Sequence, residues 1–492
     1  MSKNEYMKRV IFFILVVVAI CLSSCVEENV SSDERLELTF SCDTLIMDTL
    51  FAEQQSATGR FMIYNENKNA LNIASIRMGG GSASYFRFNV DGRIAGKGEV
   101  LEDIMIKGHD SLFVFVEMTP PTTDGEPYIV LFDSLMFECN NKVKDVKLMA
   151  VGSDARVLRS QIYTSDATID SLRPTLVFNY IYVAEGAKLT ITEGAKLYMH
   201  GGANIVVDGE LECRGTFEHP IVIRGDRFDC INDVDQTPYD QMPNQWGGIY
   251  LQNAQSHNII ENTHVRGAGV GILLVGANRS EPVLELRNSI VHNSGAYGVY
   301  SQQGSLVIEN SEISNCGESC IAQLGGTLRM AHTTVANYYR YASRKNASVR
   351  VLNYVVQNGV RLTFPVTSAV IENSIIFGGN REELELGEDT TSLADYNVLL
   401  SHTLIKGKMV ESERFVECRW ARSQNERNGV DTVFVNTSIN DIAETGYFNF
   451  RLDSLSCARD CGAESVSMLY PLDLDGKERN VDGKPDLGAY ER

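Results

Sequence analysis

Tryptophan is scarce in this chain and positive charge is in deficit. Only Trp246 and Trp420 occur among 492 residues, so an aromatic platform would have to use tyrosine, such as Tyr239, Tyr250, Tyr297, Tyr338, Tyr339 or Tyr341. The formal charge of −20 leaves no broad cationic surface. That argues against nucleic acid as a partner and against wide contact with anionic lipid or polyanionic glycans, while a local basic pocket stays open. Past residue 22 no apolar run is long enough to cross a bilayer core. No cysteine pair has zinc-ribbon spacing, and the histidines do not cluster with the cysteines, which counts against metal ligation. No helix-period stretch separates the short apolar runs of the second half, which excludes leucine-rich and helical solenoids.

What is present begins with a targeting pattern. Lys3, Lys8 and Arg9 precede the apolar run Val10 to Leu22, which is too short for a comfortable span. The run ends in Leu22-Ser23-Ser24-Cys25, which resembles a bacterial lipobox. The resemblance implies that residues 1–24 are a signal peptide, that Cys25 carries the lipid, and that residues 25–33 are a tether. Val26-Glu27-Glu28 resembles the short acidic signal that sends some lipoproteins to the cell surface. The expectation is a lipid-anchored outer-membrane protein facing outward, with the periplasm as the alternative.

The remaining length is too great for one core, so two or three domains are expected. Residues 34–152 alternate apolar and polar in short runs punctuated by Gly, Asn, Asp and Pro, the pattern of a β-sandwich. The stretches FMIYNENKNALNIASI (61–76) and VKLMAVG (146–152) resemble immunoglobulin-like domains of the Hydin/ASH kind. That implies a spacer with no catalysis. Residues 153–175 are expected to be a polar linker.

From 176 the texture changes. Glu185-Gly186-Ala187-Lys188-Leu189 recurs as Glu193-Gly194-Ala195-Lys196-Leu197, a tight turn and short strand each time. A longer period then aligns Asn262, Asn288, Asn310, His332, Asn353 and Asn373 as leaders of similar strands. Asparagine suits a repeated bend because its amide tolerates left-handed geometry. Alternation turns the small hydroxyl one residue after most leaders, and the Val or Ile three after, inward. These residues resemble the right-handed parallel β-helix, or pectin-lyase-like, superfamily over 176–400. The expected class is all-β, a β-helix solenoid behind an immunoglobulin-like sandwich. The segment 401–492, with FNFRLD (448–453) and Asp486-Leu487-Gly488-Ala489-Tyr490-Glu491, resembles the close of secreted β-helix proteins and is expected to finish the solenoid. Asp473, Asp475 and Asp482 are turn residues or, on a sharper reading, a Ca²⁺ site, the only cofactor suggested.

The cysteines fit an oxidising compartment. Cys42–Cys139, Cys316–Cys320 and Cys457–Cys461 are the expected disulfides, with buried free thiols the alternative at 316 and 320.

Two features bear on chemistry. One is the insertion 225–246, with Asp229, Asp233, Asp235 and Trp246 as candidate binding residues on an overhanging loop. The other follows from register: His264, Arg266, His292 and Glu312 point outward from adjacent coils. Arginine there could hold a sugar carboxylate and histidine could act as a base, the two needs of a polysaccharide lyase. The plain alternative is a salt-bridged polar face. Neither the Asp-rich motifs of polygalacturonases nor a lyase signature is present, so the reading leans away from an enzyme. The expectation is a glycan- or partner-binding lipoprotein. A polysaccharide lyase or glycoside hydrolase is the first alternative and an adhesin-like rod the second. Oligomeric state is open.

Overall fold

The structure, a computed structural model, describes residues 29–51, 58–121, 128–228, 237–276, 281–421, 433–437, 448–481 and 483–492. It divides into two units, one ending at Asp154 and the other starting at Ala155. Among the described residues no helix is long and apolar enough to cross a membrane.

The first unit is two five-stranded sheets. One holds Gly59–Asn65, Asp110–Met118 and Phe86–Val90 as its middle strands, and the other holds Lys142–Ser153, Tyr128–Cys139 and Leu71–Met78. Period-two alternation puts Ile63, Val114 and Val116 of the first sheet against Ile73, Leu135 and Leu148 of the second in one core. Cys42 precedes the strand Thr44–Phe51, and Cys139 ends Tyr128–Cys139. The strand Lys142–Ser153 lies between those two. That intervening strand keeps the cysteines from the close approach a disulfide needs.

Among the described residues no cysteine is in a disulfide, which goes against the three expected pairs and leaves the buried-thiol alternative at 316 and 320. Cys316 and Cys320 point inward from two successive strands and are wholly buried. Burial and contact with Cys316 hold the Cys320 thiol protonated. Cys461 Sγ donates to the carbonyls of Arg459 at 2.6 Å and Cys457 at 3.6 Å and forms no disulfide.

The second unit is a solenoid of three parallel sheets. A representative coil contributes Asn258–Glu261 to the first sheet, Thr263–Arg266 to the second and Ala268–Val275 to the third. The next coil repeats this with Leu284–Arg287, Ile290–Ser294 and Tyr297–Gln302. The corner between the first and second sheets carries Asn262, Asn288, Asn310, His332, Asn373 and His402, all with φ between 43° and 47°. Asparagine and histidine tolerate that left-handed bend better than β-branched residues do.

Next to each corner an inward hydroxyl ladder forms, from Thr263, Ser289, Ser311, Thr333, Ser374 and Thr403. Ser289 Oγ donates to the carbonyl of Arg287 at 2.6 Å and accepts the N–H of Thr263 at 3.0 Å. Each bend thus has its backbone groups paired inside an apolar core of Val265, Val291, Ile313, Val335 and Ile376.

Some expectations need correction here. The presumed linker 153–175 is already solenoid. Arg156–Tyr163 and Ala167–Ile169 pair in parallel with Thr175–Val183 and Lys188–Thr192, and Ile169 is fully buried. At the other end the ladder runs past 400 to Arg419–Ala421, within the segment expected to close the β-helix.

Asn353 leads no coil. Thr334–Asn337 pairs directly with Ile375–Gly378. The residues between include an antiparallel hairpin, Tyr354–Gln357 with Val360–Thr363. Its turn is Asn358-Gly359, both with positive φ, the two-residue connection that matches strand twist.

Residues 401–421 finish the solenoid as expected, but the later part of the C-terminal segment folds back over its middle coils. Arg479 Nη2 donates to Asn310 Oδ1 at 2.7 Å, and Ala489 N–H to Thr334 Oγ1 at 2.9 Å. His332 Nε2 lies 2.8 Å from Ser467 Oγ. Phe434, Phe450 and Leu452 cover Ala336, Ile375, Phe377 and Leu404, which point outward from the second sheet and are too apolar to face water. In this segment Asp473 accepts the N–H groups of Asp475, Lys477 and Glu491, and Asp475 pairs with Arg451. The Asp473 carboxylate therefore builds a turn, and that of Asp475 an ion pair. Asp482 lies outside the described residues, and among those described no group of three or more His, Cys, Asp or Glu is placed to hold a metal.

Candidate functional site

The second sheet brings the four predicted residues together in the expected register. Arg266 stands opposite His292, Ile290 opposite Glu312, and His292 opposite Ser314. Inward neighbours Val265 and Ile313 are buried, so the four side chains leave the outer face of the sheet.

That face is not open. The short 3₁₀ turn Tyr239–Gln241 lowers Asp240 between two arginines. One carboxylate oxygen lies 3.1 Å from Arg224 Nε and the other 3.0 Å from Arg266 Nη1. The turn is anchored because the Gln241 carbonyl accepts Asn293 Nδ2 at 2.9 Å and Tyr341 Oη at 2.7 Å. Trp246 is buried and donates to the Arg266 carbonyl at 2.8 Å. So buried, its ring offers no stacking surface. Asp229, Asp233 and Asp235, like Cys25, lie outside the described residues.

Glu312 is 6% exposed and lies under the C-terminal segment. It accepts from Ser314 Oγ at 2.6 Å and from Tyr490 Oη at 2.5 Å, and burial raises its pKa. Because the Ser314 proton points at Glu312, His292 Nδ1, 2.7 Å from Ser314 Oγ, carries the other proton. The imidazole ring packs beside those of Phe448 and Phe450. Burial, aided by the charge of Arg266, pushes His292 down to about 3 and His264 to about 4. A lyase needs a free cation for a carboxylate and a base that holds protons near neutrality. Here Asp240 occupies the cation and the imidazoles are far too weak. The four residues point outward as expected, but with Glu312 buried and Arg266 paired to Asp240 the open site expected there is instead a partly covered, ion-paired cluster.

The third sheet presents a different surface. Its outward side chains stack in register as Ile162, Tyr182, Val206, Tyr250, Leu273, Tyr300 and Ala322. Ile162 is 50% exposed, the next five are half-buried, and Ala322 is buried. Such a column on an outer face is unusual, since solvent-facing strand positions favour polar residues. Tyr182 Oη donates to Asp208 Oδ2, and the Tyr297 ring lies 5.0 Å from that of Tyr300. Burial raises the Tyr250 and Tyr300 phenols, which stay protonated and able to donate. Asn204, Gln252 and Gln302 flank the column.

A family model described as right handed beta helix region matches residues 162–337 and 247–407, together half of the chain. The chain belongs to the right-handed β-helix family. No curated protein matches it. Among solved structures, a Porphyromonas gingivalis W83 protein of unknown function is 11% identical over 26% of this chain and 60% of its own, with a TM-score of 0.17. An ASH / PapD-like domain of human CEP192 is 9% identical over 26% of this chain and 94% of its own, TM-score 0.16. A family 123 glycoside hydrolase from Clostridium perfringens is 6% identical over 25% and 30%, TM-score 0.17. The chain spans less than two thirds of the first of these structures.

In this β-helix the tyrosine column escapes the sequence repeat, which was aligned on the corner residues of the second sheet. Tyr182, Tyr250 and Tyr300 lie far apart in sequence at unequal intervals. A signal does exist: Ile181-Tyr182-Val183, Ile249-Tyr250-Leu251 and Val299-Tyr300-Ser301 each set a tyrosine between two inward residues of a third-sheet strand. Of the tyrosines proposed from sequence, Tyr250 is on the column and Tyr297 beside it. Tyr239 lies under Arg227, Tyr338 packs on Phe434 and Phe450, and Tyr339 and Tyr341 contact each other.

Proposed function

We propose that this β-helix protein is a lipid-anchored component of the bacterial cell envelope that binds a glycan without transforming it. The observation that carries the reading is the half-exposed column of three tyrosines and three aliphatic residues on the third sheet. Phenol rings stack against the C–H faces of sugars, while flanking amides can meet the hydroxyls. The closed state of the His264–Glu312 face supports binding over chemistry. The lipobox residues through Cys25 support the anchor, and the acidic Val26-Glu27-Glu28 supports display at the surface. The N-terminal sandwich is read as an immunoglobulin-like domain with no catalytic part.

A glycan array probed with the purified chain, repeated with Tyr250→Ala, tests this. Binding that the substitution weakens at unchanged melting temperature is expected. An array blank for both proteins sinks the proposal. So does the release of unsaturated or reducing-end sugars from the bound glycan.

A further inference from the structure

The column on the third sheet has a rhythm that simple burial does not require. From Ile162 onward an aliphatic residue and a tyrosine alternate strictly: Ile162, Tyr182, Val206, Tyr250, Leu273, Tyr300. Adjacent strands are about 4.8 Å apart, so the phenol rings recur about every 10 Å along the solenoid axis. Closing a surface against water needs no such alternation, because any apolar side chain serves at every layer. A linear polymer whose own unit returns after two layers does need it. In a β-1,4-linked sugar chain successive rings turn over, so the same apolar face returns with every second sugar. Two such sugars span about two strand spacings.

Charge narrows the ligand further. The flanking groups Asn204, Gln252 and Gln302 are neutral amides, and the nearby Asp208 is an anion engaged by Tyr182. Arg350, the cation that continues this column, stands opposite Ala322 and is held by Glu385 at 2.7 Å. A uronate chain would meet an aspartate here and, among the described residues of the column and these flanks, no unengaged cation. The overall charge of −20 repels polyanions as well.

We infer that this face takes an extended, uncharged β-1,4-linked glycan lying along the solenoid axis, with one tyrosine under every second sugar. The inference rests on the glycan-binding reading above and goes beyond it in linkage, charge and phase.

Calorimetric titration of the purified chain with cellotetraose, cellohexaose, maltohexaose and hexagalacturonate tests it. Cellohexaose reaches all three tyrosines and should bind roughly tenfold tighter than cellotetraose. It should exceed the two other hexasaccharides by at least that factor. The paired exchange Tyr250→Leu with Leu273→Tyr keeps the composition but breaks the two-layer spacing. It should weaken cellohexaose about tenfold at an unchanged melting temperature. Tyr300→Ala provides the same test at the end of the column should the exchanged protein not fold. If maltohexaose or hexagalacturonate binds as well as cellohexaose, or the variants bind like wild type, the phase assignment falls while glycan binding stands. If neither these sugars nor an array yields a ligand, both fall together.

Discussion

Tyr490 Oη donates a hydrogen bond of 2.5 Å to Glu312 Oε2, joining the C-terminal segment to a second-sheet strand 178 residues earlier in the chain. Ser314 supplies the other oxygen of Glu312 with its partner. A buried carboxylate in this setting depends on both donors. Tyr490→Phe should therefore destabilise the protein by about 1–3 kcal/mol, the cost of leaving one buried acceptor without its donor. A thermal melt checks this; no change in the midpoint would show that Glu312 does not need the phenol.

Acid should weaken the protein through its buried imidazoles. His264 and His292 fall to about 4 and about 3, and His332 lies well below its usual value. In each case burial is the main cause. The unfolded chain takes up these protons near pH 6.5, and the folded chain only at lower pH. Their contribution is whole above about pH 6.5 and declines as pH falls toward 4. Glu312 acts in the opposite sense, since its raised pKa makes the folded state hold a proton more readily on acidification. The double variant His264→Gln, His292→Gln should flatten the fall in melting temperature between pH 7 and 4. An unaltered slope would refute the assignment.

The Asn358-Gly359 hairpin should be dispensable for folding. Its feet are already joined, because Phe364 N–H donates to the Asn353 carbonyl at 2.7 Å. Its strands are largely exposed, with Val356 at 57% and Val360 at 59%. A two-stranded hairpin contributes little stability by itself. Replacing residues 355–362 by a short turn should move the melting temperature by no more than a few degrees, a small change for a unit of this size. A collapse in expression or a large drop would mean that the hairpin packs more deeply than its exposure indicates.

The fold was legible because β-helix coils are written locally. The corner residue, inward hydroxyl and inward Val or Ile of one coil sit within four positions, so Asn262-Thr263-His264-Val265 and its successors can be aligned by eye. The same alignment put Arg266 beside His292 correctly. It went wrong at Asn353, where a leader-like tetrapeptide belongs to a hairpin whose Asn-Gly turn follows at once. It also could not show that Asp240 returns to Arg266, or that Tyr490 returns to Glu312. Those contacts join residues far apart in sequence, and no local period encodes them. The tyrosine column was hidden for a related reason: loops of unequal length separate its members.

The fold-back of the C-terminal segment has a consequence for biosynthesis. Ala336, Ile375, Phe377 and Leu404 pack against Phe434, Phe450, Leu452 and Leu487, which leave the ribosome later. Solenoid coils stack on their immediate predecessors and can form in order of synthesis. This strip of the wall, though complete as a sheet, stays sticky until the last segment arrives. A chain truncated before residue 434 should thus carry a finished solenoid with an apolar stripe along one side, and self-association would be its characteristic failure.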